Sequence, residues 1–139
     1  MSDFTLSRIS RSDNYGTPVD LYNKLNAEFH FNDDPCPILH DNSELFLGGL
    51  AREWGTSTFI NPPYSKPGPF CEKAYRESLN GKTVVGLLRG DTSTKWFHQW
   101  VLNKAKEIRF VEGRVCFNGK PAPFASIIVI WRTDCVTKK

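Results

Sequence analysis

The residues best equipped for chemistry lie together in Thr58-Phe59-Ile60-Asn61-Pro62-Pro63-Tyr64-Ser65. A short apolar run stops there in Asn-Pro-Pro-Tyr. Pro62 and Pro63 have no backbone N–H and a fixed φ, so neither continues a central strand. Asn61 precedes a proline and is pushed toward extended backbone. The expected product is a stiff loop at the carboxyl end of a strand, the end at which open α/β sheets bind ligands. It presents one carboxamide, carbonyls with no competing N–H, and an aromatic ring. The Asn61 side-chain oxygen and the Pro62 carbonyl are two fixed acceptors for both hydrogens of a planar amino group, as on adenine, cytosine or a carboxamide. Holding both hydrogens draws the nitrogen lone pair out of conjugation and makes it a nucleophile. Tyr64 offers a face to a flat base, a contact of about 1–3 kcal/mol. No general base is required, since the proton can leave after the nitrogen has attacked. Taken alone, the tetrapeptide is equally well a mere turn; its surroundings decide.

The elements that must position this loop can be read in order. Residues 1–12 are polar and read as a flexible arm that runs on to Tyr15. Thr17 is expected to cap a helix with Pro18 in its first turn, continuing to about Asn26. Phe29-His30-Phe31 reads as a short strand, followed by an acidic, proline-rich turn through Asp34, Pro35, Cys36 and Pro37. A loop with a short helix near Ser43 to Leu47 precedes the strand of the Asn61 loop, with Trp54 in the core. Gly68 to Leu79 reads as a helix ended by Asn80-Gly81. Thr83 to Leu88 is a continuous apolar run, the mark of a strand buried on both faces. A second polar loop, Arg89 to Thr94, follows at the same end of the sheet. Thr92 or Ser93 is expected to cap the next helix, whose core face carries Trp96, Phe97, Trp100 and Val101. Ile108 to Val111 is a strand, Gly113 to Phe117 opens a hairpin, and Ala125 to Trp131 closes the sheet. Alternating strand and helix predict a three-layer α/β sandwich with an antiparallel C-terminal ending. Asn61 and Asp91 then share one end of the sheet, and that clustering turns a turn motif into a candidate site.

Composition sets outer bounds. A chain of 139 residues with 40% hydrophobic and 24% charged residues fits one globular domain, residues 1–139, without a separate target-recognition domain. A net charge of +3 is compatible with a polyanionic partner and diagnoses none. The four cysteines include no Cys-x-x-Cys pair, so no zinc site or other metal centre is expected. No signal peptide or membrane-length apolar run is seen, which predicts a cytoplasmic chain with reduced thiols.

With this order in view, the chain resembles the small phage-encoded DNA adenine amino-methyltransferases, from about Asp13 to Trp131. Five segments carry the resemblance: Asp13-Asn14-Tyr15-Gly16-Thr17-Pro18, Phe29 to Asp34, Asn61 to Ser65, Asp91 to Phe97, and Gly113 to Phe117. The resemblance implies a Rossmann-like fold, S-adenosylmethionine as methyl donor, adenine in DNA as acceptor, and a host-cell cytoplasmic location. Asn61 and the Pro62 carbonyl would hold the adenine amino group, Pro63 would stiffen the loop, and Tyr64 would stack on a flipped or single-stranded base. Tyr15, Thr17, Pro18, Asp34, Pro35, Cys36 and Asn61 would line the cofactor pocket, with Asp91 in a second wall. Ser65 and Asp91 would complete the side toward the nucleic acid, where Lys66, Arg89, Lys95 and Arg114 read equally well as phosphate contacts, which would make binding salt-sensitive, and as plain solvated charges.

Two other readings stay open at this level. The same loop chemistry serves methyl transfer to RNA or to a protein glutamine. The stretch Asp34-Pro35-Cys36-Pro37-Ile38-Leu39 contains no glycine, where the broader group carries glycines for close backbone approach. That departure would suit a weak or inactive methyltransferase-like module that binds nucleic acid or protein.

Overall fold

The computed structural model describes residues 16–36, 48–63, 65–117 and 119–133. The expected arm at 1–12, Tyr15, the short helix near Ser43 to Leu47, Tyr64 and the Asn118 end of the hairpin turn lie outside them.

The chain is a mixed α/β fold on a mixed four-stranded sheet of order β1-β2-β6-β3. The strands are β1 (Ser57–Ile60), β2 (Thr83–Arg89), β3 (Glu107–Phe110) and β6 (Ser126–Trp131). β1 and β2 are parallel, with Phe59 opposite Val85. β6 runs antiparallel to both of its neighbours, β2 and β3. β4 (Cys116–Phe117) and β5 (Lys120–Pro121) form a separate two-stranded hairpin.

β2 and β6 are central because their sequences tolerate burial on both faces. All six residues of β6 are buried, as are the five inner residues of β2. Their side chains alternate between two cores. One face packs Ile60, Val84, Leu88, Ile127, Val129 and Trp131 beneath Phe70, Cys71 and Ala74 of α2 (Pro67–Ser78), with Phe97 and Val101 alongside. The other packs Phe59, Val85, Leu87, Ile128 and Ile130 against Tyr22 and Leu25 of α1 (Val19–Phe29) and against Val115, Phe117 and Ala122 of the hairpin segment. Each fully buried aliphatic side chain contributes about 1.5–3 kcal/mol. Gly86 makes room on the first face: a Cβ there would lie 3.2 Å from both Ile60 and the Trp131 ring.

Four sequence expectations need correcting. Ala125 to Trp131 does not close the sheet, because β6 is inserted between β2 and β3; an all-apolar run signals burial but carries no information about strand order. Phe29-His30-Phe31 is not a strand. α1 runs through Phe29 and ends at His30, whose φ of 53° is left-handed. The extended rung comes later: the Asn32 N–H bonds to the Ser57 carbonyl and the Phe59 N–H to the Asp33 carbonyl, so Asp33 bridges Thr58 in parallel beside β1. Thr17 does not cap α1; Pro18 occupies that position without a side-chain cap. Thr94, not Thr92 or Ser93, supports the following helix by accepting from the Phe97 N–H at 3.3 Å. That helix is a π-helical turn, Phe97–Val101, closed by the Leu102 N–H on the Phe97 carbonyl.

The end of the sheet away from the Asn61 loop is locked by a buried ion cluster. Lys82 donates to Glu77 at 2.7 Å, Glu53 at 2.8 Å and the Trp54 carbonyl at 2.7 Å. Glu77 also accepts from Lys73 at 2.9 Å. Burial alone would raise the Glu77 carboxyl, but the bonds from Lys82 and Lys73 outweigh it and hold its pKa below the ordinary value. A depressed folded-state pKa stabilises above the unfolded value of about 4.3, and that stability is lost as pH falls through the folded value. Without Glu77 the buried Lys82 keeps only the exposed Glu53 and the Trp54 carbonyl as partners, so Glu77→Ala should cost about 2–3 kcal/mol in urea unfolding at pH 7. Glu77→Gln should likewise be less stable at pH 7 and lose less stability than the wild type on acidification below about pH 4.

Candidate active site

β1 ends at Ile60 because the next residues that would pair are prolines. Asn61 is half-buried at the carboxyl end of β1, and Pro62 and Pro63 are buried. The Pro63 carbonyl is not bare as expected: the Lys66 N–H donates to it at 3.1 Å, closing a turn that leads into α2. Among the described residues no donor reaches the Pro62 carbonyl.

Three chain segments distant in sequence meet at Asn61. From before α1, the Thr17 hydroxyl accepts a hydrogen bond from Asn61 Nδ2 at 2.9 Å. From the rung beside β1, the Cys36 sulfur receives the Asn61 main-chain N–H. From β1 itself comes the Asn61 backbone. Thr17 and Cys36 are 4% and 3% exposed, and Pro35 is also buried. Of the predicted cofactor residues among the described ones, Pro18, Asp34 and Asn61 keep partly exposed surface. Asp34 Oδ1 accepts the Cys36 N–H at 3.0 Å, which shapes the turn. Burial, and then the nearby Asp34 carboxylate, push the Cys36 thiol well above its ordinary pKa. It is therefore a neutral packing group, not a nucleophile.

The glycine-free turn obtains its close backbone approach from elsewhere. Residues 48–51 are helical, and a Cβ at Gly49 would lie 2.4 Å from the Pro35 carbonyl oxygen. The Gly49 carbonyl in turn accepts from the Trp54 indole at 2.8 Å. Sequence reasoning missed this pairing; the Gly48-Gly49 dipeptide beside a proline-rich turn was the available signal. It also missed Arg52, whose guanidinium forks onto Asp33 with two bonds of 2.8 Å. Burial would raise the Asp33 carboxyl, but the bonds from Arg52 and the Gly55 N–H hold it below the ordinary range.

The second wall comes from the end of β2. Pro62, Pro63, Pro67, Leu87, Leu88, Arg89 and Trp96 line one narrow crevice, so Arg89 and the Asn61 loop are neighbours. Arg89 pairs with Asp91 at 2.9 Å and lies 6.0 Å from the centre of the Phe124 ring. Arg89, Gly90, Asp91, Phe124 and Ala125 border a recess of about 250 Å³. Phe124 was not singled out from sequence. Ser65, Lys66 and Lys95 are exposed near the start of their helices. Arg114 lies just before β4 and donates to the Ala122 carbonyl at 3.5 Å. It is not among the residues lining the crevice or the recess. Among the described residues no cluster of His, Cys, Asp and Glu could hold a metal ion, and no helix is long and apolar enough to cross a membrane.

Gly49→Ala forces its new methyl onto the Pro35 carbonyl. It should lower stability by about 1–3 kcal/mol and move the Asn61 and Cys36 amide resonances in a ¹H–¹⁵N spectrum, while those of β3 stay in place.

Against this geometry, the comparisons with known proteins are specific. A family model described as DNA N-6-adenine-methyltransferase (Dam) matches residues 5–134. A protein of Haemophilus phage HP1 (strain HP1c1), named DNA N-6-adenine-methyltransferase, is 37% identical across 77% of this chain and 68% of its own length. One of Escherichia phage T1 with the same name is 38% identical across 45% of this chain and 27% of its own length. No solved structure matches the chain significantly. With the family match spanning nearly all of the sequence, the chain belongs to the DNA N-6-adenine-methyltransferase (Dam) family.

Proposed function

We propose that this chain transfers a methyl group from S-adenosylmethionine to the exocyclic amino group of adenine in DNA, with Asn61 as the catalytic residue. The observation that carries the reading is the Asn61 carboxamide, fixed at the carboxyl end of β1 by Thr17, beside a Pro62 carbonyl that no described donor reaches. Family membership supports adenine as the acceptor. The covering of both sheet faces supports a Rossmann-like three-layer sandwich.

The chain's own groups do the following. The Asn61 oxygen and the Pro62 carbonyl accept the two amino hydrogens and turn the nitrogen lone pair out of the ring. Pro63, with its carbonyl tied to Lys66, keeps the loop from yielding. Tyr64 stacks on the base. A duplex adenine is out of reach, so it flips out at a cost of a few kcal/mol, offset by stacking and by these two bonds. Arg89 and Asp91 shape the opposing wall, and Ser65, Lys66, Lys95 and Arg114 face the nucleic acid. When bound, S-adenosylmethionine supplies an electrophilic methyl group on a sulfonium. Pro18, Asp34 and Asn61 are the partly exposed groups suited to hold it, and Thr17, Pro35 and Cys36 support it from behind; Tyr15 is proposed for the same pocket from the sequence. The donor set fits, with a carboxylate and a carboxamide for polar groups and a proline for an apolar surface. Catalysis is then mainly positioning.

Two measurements test this reading. Titration calorimetry should show S-adenosylmethionine binding to both the wild type and Asn61→Ala. Methyl incorporation into unmethylated DNA should be lost in Asn61→Ala, with a cooperative thermal unfolding transition retained at a modestly lower midpoint. Full incorporation by Asn61→Ala, or no cofactor binding by the wild type, would overturn it.

A further inference from the structure

Two hydrogen-bond acceptors hold an amino group without reading the ring that carries it. The Asn61 oxygen and the Pro62 carbonyl serve the amino group of adenine and that of cytosine alike. The two bases differ beside that group. On the Watson–Crick side each has an acceptor ring nitrogen. On the other side adenine has the N7 acceptor, and cytosine has a carbon with no lone pair. Selecting adenine therefore takes a donor next to the loop, on the N7 side of the base.

Arg89 stands where such a donor is needed. Side chains alternate along β1 and β2. Phe59 and Leu87 face the core beneath α1 and the hairpin, while Ile60 and Leu88 face the other core. Asn61 and Arg89 accordingly both project to the α1 side, where Asn61 meets Thr17 and Arg89 meets Phe124. The parallel register sets Ile60 beside Gly86, so Arg89 lies one strand over and two residues beyond the level of Asn61. Strand spacing and rise put the two main chains about 8 Å apart, within the reach of an arginine side chain. Arg89 borders both the crevice it shares with Pro62 and Pro63 and the recess of about 250 Å³ it shares with Phe124.

The guanidinium is oriented. Asp91 accepts from Arg89 Nη2 at 2.9 Å, and the Phe124 ring centre lies 6.0 Å from the guanidinium carbon. Phe124 is backed by Phe117, with ring centres 6.3 Å apart. Its segment is tied to the end of β2 by the Gly90 N–H on the Ala125 carbonyl at 2.8 Å. A guanidinium carries five N–H donors and no acceptor, so holding Asp91 does not consume it. The Arg89 side chain stays 34% exposed, open to an incoming base.

We propose that Arg89 is the specificity-determining residue that selects adenine, by donating to N7 beside the amino group held at Asn61. This inference rests on the methyl-transfer reading above.

The test uses duplexes built on a site that the wild type methylates, with adenine or 7-deazaadenine at the target position. The analogue keeps the amino group and replaces N7 by carbon. Arg89→Met keeps an apolar stem against Phe124 and removes every donor. Arg89→Lys keeps a charge for a phosphate without the planar fork. For the wild type, kcat/KM should fall on the order of 10- to 100-fold from adenine to 7-deazaadenine. Arg89→Met should lose a similar factor on adenine and treat the two substrates within about threefold of each other. Any intrinsic difference in the analogue's reactivity is common to both proteins, so the change in the ratio isolates the contact. The ratio is also insensitive to the fraction of protein folded, so a less stable variant does not disguise the result. Arg89→Lys should stay closer to Arg89→Met than to the wild type. Equal wild-type rates on the two substrates would overturn the proposal. So would a ratio that Arg89→Met leaves unchanged, or full recovery by Arg89→Lys, either of which makes Arg89 a phosphate contact. Those results would leave the loop reading standing. Full activity of Asn61→Ala, run alongside, would bring down the loop reading itself, and this proposal with it.

Discussion

Two consecutive residues without a backbone N–H end β1 after Ile60, and the arrangement of the site follows from that. The strand is held on one side by β2 and on the other by the Asp33 rung, so its last residue has little freedom. Asn61 cannot fold back, because the prolines that follow restrict its backbone, and it cannot extend the sheet. Its carboxamide is left at the strand's end, where α1 delivers Thr17 and the Asp34 turn delivers Cys36. The Pro63 carbonyl then spends itself on Lys66 and opens α2. One short stretch thus stops a strand, starts a helix and fixes a side chain between them.

The two cores keep this end rigid from opposite directions. On one face the Trp131 indole fills the space left by Gly86 and bonds to the Trp100 carbonyl at 2.8 Å, tying β6 to the π-helical turn after Asp91. On the other, Tyr22 packs edge-on to Phe59 with ring centres 5.3 Å apart, which seats α1 and therefore Thr17. Arg109 reinforces that layer from the edge strand by gripping both oxygens of Glu28 at 2.8 and 2.7 Å. Asn61 and Asp91 come to the same end of the sheet because β1 and β2 are parallel, and parallel neighbours end together.

The central apolar runs were readable from sequence because burial on both faces leaves no polar alternation to confuse the period. Thr83 to Leu88 was recovered for that reason; Gly68 to Leu79 was recovered from its one apolar face and the Asn80-Gly81 stop, and the placement of the Asn61 and Asp91 loops at one end from the alternation of strand and helix. Strand order was not readable, since β6 is apolar in any buried slot. Phe29-His30-Phe31 misled because alternating aromatics suggest a strand, while α1 packing and a left-handed His30 decide otherwise. Thr17 was legible as a hydroxyl before a proline, but whether it would cap a helix or reach 44 positions away depends on how α1 docks. The glycine expected after Asp34 was sought within that turn, whereas the close approach is made by Gly49 from a facing element.

The central claim is that this loop directs a methyl group to the amino nitrogen of adenine. The most direct measurement is to incubate the protein and S-adenosylmethionine with DNA from a host lacking adenine methylation, digest it to nucleosides and identify the methylated product by mass spectrometry. The account predicts N6-methyladenine as the product. Methylated cytosine, or no methylated nucleoside from a protein that binds both substrates, would contradict it.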